Sequence, residues 1–181
     1  MNEYAVAIGQ MSVAWAETSN DPHKVTIPSV AAIRLVLDHA RDVAEAISLL
    51  RAVNITFAYQ LPAHYLISDS SGDSAVVEFI DGDTEVTRNS EPRLAATNFV
   101  MWGMTPESAK SSCWRYRTAY EALERAGGSI SQQQAMTLLQ DVSQGRTTWS
   151  AVYNMTTGDI GIAMGRPYDN MHRFKLEMKR R

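Results

Sequence analysis

The sequence has little of several features that would restrict its class. It contains one cysteine, Cys113, so no intramolecular disulfide can form. Its four histidines are scattered and give no recognisable metal-ligand spacing. No apolar run approaches the ~20 residues that a bilayer-spanning helix needs. We therefore expect no disulfide framework, no metal centre and no membrane partner.

A strong excess of charge of one sign is also lacking. The formal net charge is -3, from 17 basic and 20 acidic residues. Such a mixture gives no long-range positive field of the kind that nucleic acid or an anionic membrane would attract. Nucleic acid is therefore not an expected partner. The first residues lack the basic region and apolar core of a secretion signal, so cytoplasmic residence is expected.

Motifs of the common cofactor enzymes and hydrolases are missing as well. The sequence contains no G-x-G-x-x-G, no G-x-x-x-x-G-K-[ST], no G-x-S-x-G and no H-E-x-x-H. The usual nucleotide-cofactor, serine-hydrolase and metalloprotease interpretations therefore lose their support, and no cofactor is expected. With 181 residues, 45% of them hydrophobic and 20% charged, the chain can form one globular domain over residues 1–181.

Two helical pairs are predicted from apolar residues that recur at three- and four-residue spacing. The first pair has one stripe in 33–40 and another in 43–50, with Asp42 as the cap between them. The second pair has stripes in 116–123 and 135–142, separated by the Gly127–Gly128 stop and a capping box that begins at Ser131.

Short strands are predicted between and after these pairs. An apolar first strand over Ala5–Trp15 is expected to be buried on both faces. The remaining predicted strands are a meander of 64–68, 75–80 and 85–87, a strand over 94–100, a hairpin of 147–153 with 160–164, and an outer strand near Phe174. The sequence therefore predicts an α+β fold with mostly antiparallel sheet and helices stacked on it in layers.

A series of segments in fixed order carries a further resemblance. These are His64–Asp69, Ser71–Phe79, Ala96–Phe99, Ser111–Tyr116 and the terminal stretch Trp149–Gly165. In that order and at those intervals they resemble the C-terminal half of the choloylglycine hydrolase family, which includes bile-salt hydrolases, penicillin V acylases and related linear-amide hydrolases and acyltransferases. The resemblance implies part of a four-layer αββα sandwich of the N-terminal-nucleophile (Ntn) type.

The resemblance also implies two catalytic residues. Asn98 matches the family's Thr-Asn motif, whose side-chain amide helps to hold the developing oxyanion. Arg115 matches the arginine of the Ser-Ser-x-x-Arg-aromatic segment, where a permanent positive charge favours the thiolate of the nucleophile. Arg117 is the alternative arginine. Without the resemblance, Asn98 is a strand-end residue that satisfies a turn, and Arg115 is an exposed arginine in the first turn of a helix.

Other polar residues are expected to be structural. Cys113 is internal, so it has no free α-amine, and it is interpreted as an inert thiol. His64 is interpreted as a satisfied core or edge histidine. The aspartates between 69 and 83 lack the ligand spacing and distal glutamate of a calcium loop, so turn chemistry explains them.

The family's nucleophile has no counterpart in this sequence. In the family, a cysteine that is the first residue attacks the amide carbonyl, and its own α-amino group serves as the base. Three explanations remain open: a truncated chain, a cleaved chain whose partner supplies the nucleophile, or a shortened product with a non-catalytic role. The expected partners are a small N-acyl amide substrate if the missing half is supplied, a complementing N-terminal chain, or a second copy in a homodimer. Alone, the chain is not expected to hydrolyse amides.

Overall fold

The structure, a computed structural model, describes residues 1–179 and contains five α-helices and nine strands in that range. The helices are α1 Ser29–His39, α2 Val43–Arg51, α3 Pro106–Ser112, α4 Trp114–Arg125 and α5 Gln132–Asp141. The strands are β1 Ala7–Ser12, β2 Thr26–Pro28, β3 Asn54–Thr56, β4 Ala63–Ser68, β5 Ser74–Ile80, β6 Asp83–Arg88, β7 Trp149–Tyr153, β8 Asp159–Met164 and β9 Met171–Lys175. No helix among the described residues has the length and apolar character needed to cross a bilayer.

Antiparallel pairing dominates the sheets. A four-stranded sheet has the order β1-β4-β5-β6, and every neighbouring pair in it is antiparallel. A three-stranded antiparallel sheet has the order β7-β8-β9. The short strands β2 and β3 form a separate parallel pair. The predicted α+β class, the meander and the C-terminal hairpin are therefore confirmed.

Local signals fix the helix ends. A carboxylate oxygen of Asp42 accepts a hydrogen bond from the Glu45 amide at 2.9 Å, so the predicted cap of α2 is confirmed. Ser131 and Gln134 form the predicted reciprocal capping box at the start of α5. After α4, Gly128 has a φ of +80° and its amide returns to Leu123 O at 2.8 Å. A left-handed residue at this place ends the helix as predicted.

The main core lies between one face of the four-stranded sheet and the first two helices. Side chains alternate along a strand, so Tyr65 and Ile67 of β4 share this face with Val77 and Phe79 of β5. The apolar stripes of α1 and α2 pack against them; Leu50 of α2 is fully buried there. The hydrophobic spacing of the sequence therefore positions this helical layer.

The opposite face of the same sheet is covered differently. Leu66 and Val76 pack against Met101, Ala109 and other residues of the segment before α3, α3 itself and α4. The three-stranded sheet has its own small core, in which Met136 of α5 contacts Ala163 and Tyr168. The four-stranded sheet is thus enclosed between α1 and α2 on one side and the 94–125 region on the other.

Three local predictions are wrong. The first strand is shorter than Ala5–Trp15 and lies at a sheet edge with Gln10 exposed, because apolar content does not reveal whether a strand has neighbours on both sides. No strand forms over 94–100, where side chains from the sheet take the place of a neighbouring strand, as described below. The structure also has one helix more than the two predicted pairs: α3 begins at Pro106, with Thr105 as its cap.

Candidate active site

The two predicted catalytic side chains lie in direct contact. Arg115 Nη2 donates a hydrogen bond to Asn98 Oδ1 at 2.8 Å, and Asn98 Nδ2 donates to Ser12 O at 2.9 Å. Arg115 lies in the first turn of α4 and is half-buried, whereas Asn98 is exposed in an irregular segment. The fold thus brings together the end of β1, the 97–101 segment and the start of α4. Arg117, the alternative arginine, is exposed.

The partners of Asn98 fix the orientation of its amide. A guanidinium can only donate, and a backbone carbonyl can only accept, so the amide oxygen faces Arg115 and the amide nitrogen faces Ser12. The amide nitrogen carries two hydrogens, and Ser12 takes one of them. The other remains able to donate to an oxygen that gains negative charge. This arrangement provides a held donor next to a permanent positive charge.

Two buried side chains of the four-stranded sheet form hydrogen bonds to the segment that carries Asn98. His64 of β4 and Glu78 of β5 are 1% and 2% exposed. His64 Nδ1 lies 2.9 Å from Glu78 Oε1, and its Nε2 lies 2.8 Å from Thr97 O. The Glu78 carboxylate accepts the Met101 amide, with distances of 2.9 and 3.2 Å to its two oxygens. His64 is therefore the satisfied core histidine that was predicted.

The role of Glu78 was missed in the sequence, although a signal was present. Glu78 is the one charged residue in the otherwise apolar stretch 75–80, and a charged side chain in a buried strand needs a partner. The partner, His64, lies 14 residues earlier, and the hydrogen-bonded segment begins 19 residues later, at Thr97. Because the 97–101 segment is irregular, no periodicity in the sequence predicts its contact with Glu78.

Cys113 lies beside this cluster, as the cap residue of α4, and is half-buried. Burial by itself raises the pKa of its thiol. The Thr97 hydroxyl, the amides of Tyr116 and Arg115 and the charge of Arg115 outweigh that effect, so the pKa of Cys113 lies below its ordinary value. Among the described residues the Thr97 hydroxyl has no hydrogen-bond partner of ordinary geometry, so its contact with the thiol is weak. The interpretation of Cys113 as inert stays a prediction.

A cavity of about 220 Å³ lies on the same side of the sheet. Its lining includes Arg93, Met101, Tyr116 and Tyr120, and it does not include Asn98 or Arg115. Within residues 1–179, no group of three or more histidine, cysteine, aspartate or glutamate residues has an arrangement that could hold a metal ion. Asn98 and Arg115 together can offer a hydrogen-bond donor and a positive charge to a group that approaches Asn98 from outside.

Comparisons with known structures agree with this fold. Two variants of the conjugated bile acid hydrolase from Clostridium perfringens match with a TM-score of 0.76 and 16% identity, over 97% of this chain and 71% of theirs. A penicillin V acylase from Agrobacterium tumefaciens matches with a TM-score of 0.74 and 18% identity, over 97% of this chain and 65% of its own. At such identities the similarity shows the fold, which is that of the Ntn hydrolases. No curated protein sequence matches significantly.

The family itself is shown by the sequence. The model of the family described as acyl-coenzyme A:6-aminopenicillanic acid acyl-transferase matches residues 2–180, which is nearly the whole chain. This agrees with the predicted relationship to choloylglycine hydrolases, and so does the Ntn-hydrolase fold. The chain therefore belongs to the acyl-coenzyme A:6-aminopenicillanic acid acyl-transferase family, a group of amide hydrolases and acylases with the Ntn-hydrolase fold.

Proposed function

We propose that this chain supplies the oxyanion donor and the neighbouring positive charge of an enzyme that cleaves or transfers the acyl group of a small N-acyl amide. The observation that carries the proposal is the Asn98 amide, which Arg115 and Ser12 hold while one N–H remains available. The attacking sulfur, in this proposal, belongs to a polypeptide outside these 181 residues that begins with cysteine. Asn98 is then the catalytic donor, and Arg115 orients it and adds charge.

The proposed reaction has two steps. The thiolate attacks the amide carbonyl, a carbon–sulfur bond forms, and the carbonyl electrons move to the oxygen, where Asn98 donates its free N–H. The intermediate collapses, the carbon–nitrogen bond breaks, and the amine leaves with the proton that the α-amino group took from the thiol. Water then releases the acyl group in a hydrolase, and another nucleophile does so in a transferase. No metal or organic cofactor takes part.

The position of Arg115 supports a role beyond helix stability. A positive side chain in the first turn of a helix meets the positive end of the helix dipole, which is unfavourable by a few tenths of a kcal/mol or more. Arg115 occupies that place in α4 and is half-buried there. Its bond to Asn98 places this charge beside the proposed oxyanion donor. There the charge can stabilise a thiolate or an oxyanion.

An uncovered apolar sheet face supports the need for a further polypeptide. Trp149 and Met164 are paired neighbours, and so are Ile160 and Phe174, which puts these four side chains on one face of the three-stranded sheet. Trp149 is 57% exposed and Phe174 is 56% exposed. A contiguous patch of large exposed apolar side chains marks a surface that other protein covers.

Assays with and without a complementing chain test the proposal. The purified 181-residue chain is expected not to hydrolyse penicillin V or a conjugated bile acid. Co-expression with the reading frame that precedes it in the genome is expected to give turnover, provided that this frame encodes a chain with an N-terminal cysteine. In the active assembly Asn98→Ala should lower kcat by about 10² to 10³, as loss of one oxyanion donor does.

The control is Asn170→Ala, which removes an exposed asparagine just before β9 of the three-stranded sheet and should leave turnover unchanged. Turnover by the 181-residue chain alone would refute the requirement for a separate nucleophile. Full activity of the Asn98→Ala assembly would refute the oxyanion role.

A second candidate is a non-catalytic module that pairs with itself through the same apolar face. The exposed face of the β7-β8-β9 sheet favours it, because two copies could cover each other there. Light scattering of the purified chain distinguishes the candidates. A dimer that Trp149→Ser dissociates supports self-association, a monomer contradicts it, and a co-purifying fragment that begins with cysteine supports the two-chain enzyme.

A further inference from the structure

The buried polar pair under the candidate site is bonded both within itself and to the segment that carries Asn98. His64 and Glu78 occupy neighbouring strands, one position beyond the Tyr65–Val77 pair of the register. Their side chains satisfy each other across 2.9 Å. Each also bonds to the backbone of the 97–101 segment, His64 at Thr97 O and Glu78 at the Met101 amide. One pair therefore holds the segment at two points.

Asn98 lies between these two anchors. Its backbone follows directly after Thr97, whose carbonyl accepts both His64 Nε2 at 2.8 Å and the Phe99 amide at 3.0 Å. The segment has no strand partner, so the anchors supply the hydrogen bonds that a sheet ladder would otherwise give. The direction of the Asn98 side chain therefore depends on the backbone that the His64–Glu78 pair holds in place.

Both ring nitrogens of His64 have a partner in this arrangement. Nδ1 faces Glu78 Oε1, and Nε2 faces Thr97 O. A backbone carbonyl can only accept, so Nε2 carries the proton of that contact. Glu78 also faces Glu85 of β6 directly across the sheet, which makes Glu85 a matched reference for substitutions at Glu78.

We propose that His64, paired with Glu78, is a positioning residue that sets the 97–101 segment and thereby holds Asn98 in reach of Arg115 and Ser12. The inference rests on the proposed function only for the reason why the placement of Asn98 matters. Loss of one member of such a buried pair leaves the other without its hydrogen bond, so the 97–101 segment should respond to a substitution at either residue.

Nuclear magnetic resonance on the full 181-residue chain tests the proposal without any need for turnover. In Glu78→Gln, the side-chain amide signals of Asn98 should move, and the Met101 amide should exchange with solvent at least about tenfold faster. Signals of the β7–β8 hairpin should stay in place. The Asn98 signals are assigned by their loss in Asn98→Ala.

The matched control is Glu85→Gln, the same substitution at the opposite residue of the neighbouring strand. It should leave the Asn98 signals and the exchange of the Met101 amide unchanged. A folded Glu78→Gln chain with unchanged Asn98 signals and unchanged Met101 exchange would overturn the proposal. Equal effects of the two substitutions would overturn it as well, because the response would then not depend on the anchors.

A second measurement does not depend on the folding of any variant. A long-range ¹H–¹⁵N spectrum of the histidine rings in the unsubstituted chain should show a protonated Nε2 on His64, because Thr97 O can only accept. His172→Gln, which removes an exposed histidine of β9, helps to assign the signals. A bare Nε2 on His64 would overturn the proposal, because the bond to Thr97 O would then be absent. These results leave the oxyanion role untouched, because that role is judged by the turnover of the Asn98→Ala assembly.

Discussion

The two faces of the four-stranded sheet pack against their neighbours in different ways. On one face Tyr65, Ile67 and Val77 meet the apolar stripes of α1 and α2, and the Tyr65 hydroxyl is satisfied by Ser29 O at 3.0 Å. On the other face His64 and Glu78 interrupt the apolar surface and bind an irregular segment. The first face stabilises the domain through regular packing. The second gives up regular packing and holds one polar side chain, Asn98, at a defined place.

The largest expected effect comes from breaking the polar pair. Glu78→Ala should lower the free energy of unfolding by about 4 kcal/mol, because it leaves His64 and the Met101 amide buried without their acceptor. Urea denaturation measures the change. The double variant His64→Phe with Glu78→Leu should be less destabilised than the single one, since neither member of the buried pair is then left without its partner. If the double variant is the less stable of the two, the pair stabilises the sheet rather than positioning the segment.

Truncation on the apolar face should cost somewhat less. Leu50→Ala removes a fully buried side chain from the layer between α2 and the sheet, and about 3 kcal/mol of the free energy of unfolding should be lost to transfer and cavity terms. Asn98 and its signals should stay as they are. Leu61→Ala is the control, because that leucine is exposed and its loss should change stability by no more than about 0.5 kcal/mol. Movement of the Asn98 signals in Leu50→Ala would show that the faces are not independent.

Loss of the cap of α2, the helix that packs on the apolar face, should lower the free energy of unfolding by less. Asp42→Ala removes the acceptor for the Glu45 amide at the start of α2, and thermal or urea unfolding should show a loss of about 1 kcal/mol. Asp38→Ala, which removes only an exposed partner of Arg34, should cost less than about 0.5 kcal/mol. Equal losses in the two variants would mean that the cap contributes no more than a surface ion pair.

The smallest expected effect concerns the thiol beside the site. Because the pKa of Cys113 is lowered, its thiolate fraction at a given pH exceeds that of an ordinary thiol, and the rate of alkylation should rise at lower pH than in the urea-unfolded chain. Arg115→Ala should move the rise toward higher pH, since one stabilising charge is lost. Arg117→Ala should not. Identical pH profiles for the folded and unfolded chains would contradict the lowered pKa.

Much of the fold follows from patterns within single segments. The spacing of Val36, Ala46 and Leu50 predicts α1 and α2 correctly, and Asp42 and Ser131 mark helix starts that the structure confirms. The sequence predicts a strand over 94–100. Instead, Thr97 in this stretch bonds to His64, and Met101 just after it bonds to Glu78. No local pattern predicts a bond to a residue far away in the sequence.

The candidate site divides in the same way. Family resemblance singled out Asn98 and Arg115, and the structure puts them in contact. Their catalytic roles remain predictions that the assays above address. Glu78 was not recognised, because a glutamate in an apolar strand can be explained only once its partners are known.

The sequence by itself predicted the α+β class, the helix caps at Asp42 and Ser131 and the antiparallel meander, and it supplied Asn98 and Arg115 as candidates, because each depends on neighbours within a few positions or on a motif. Only the tertiary structure decided that β1 is an edge strand, that 94–100 is irregular and that His64 and Glu78 hold the segment of Asn98. The reason is physical. Periodicity records which side of a segment avoids water, but a buried polar group is defined by the partner that satisfies it, and that partner can lie anywhere along the chain.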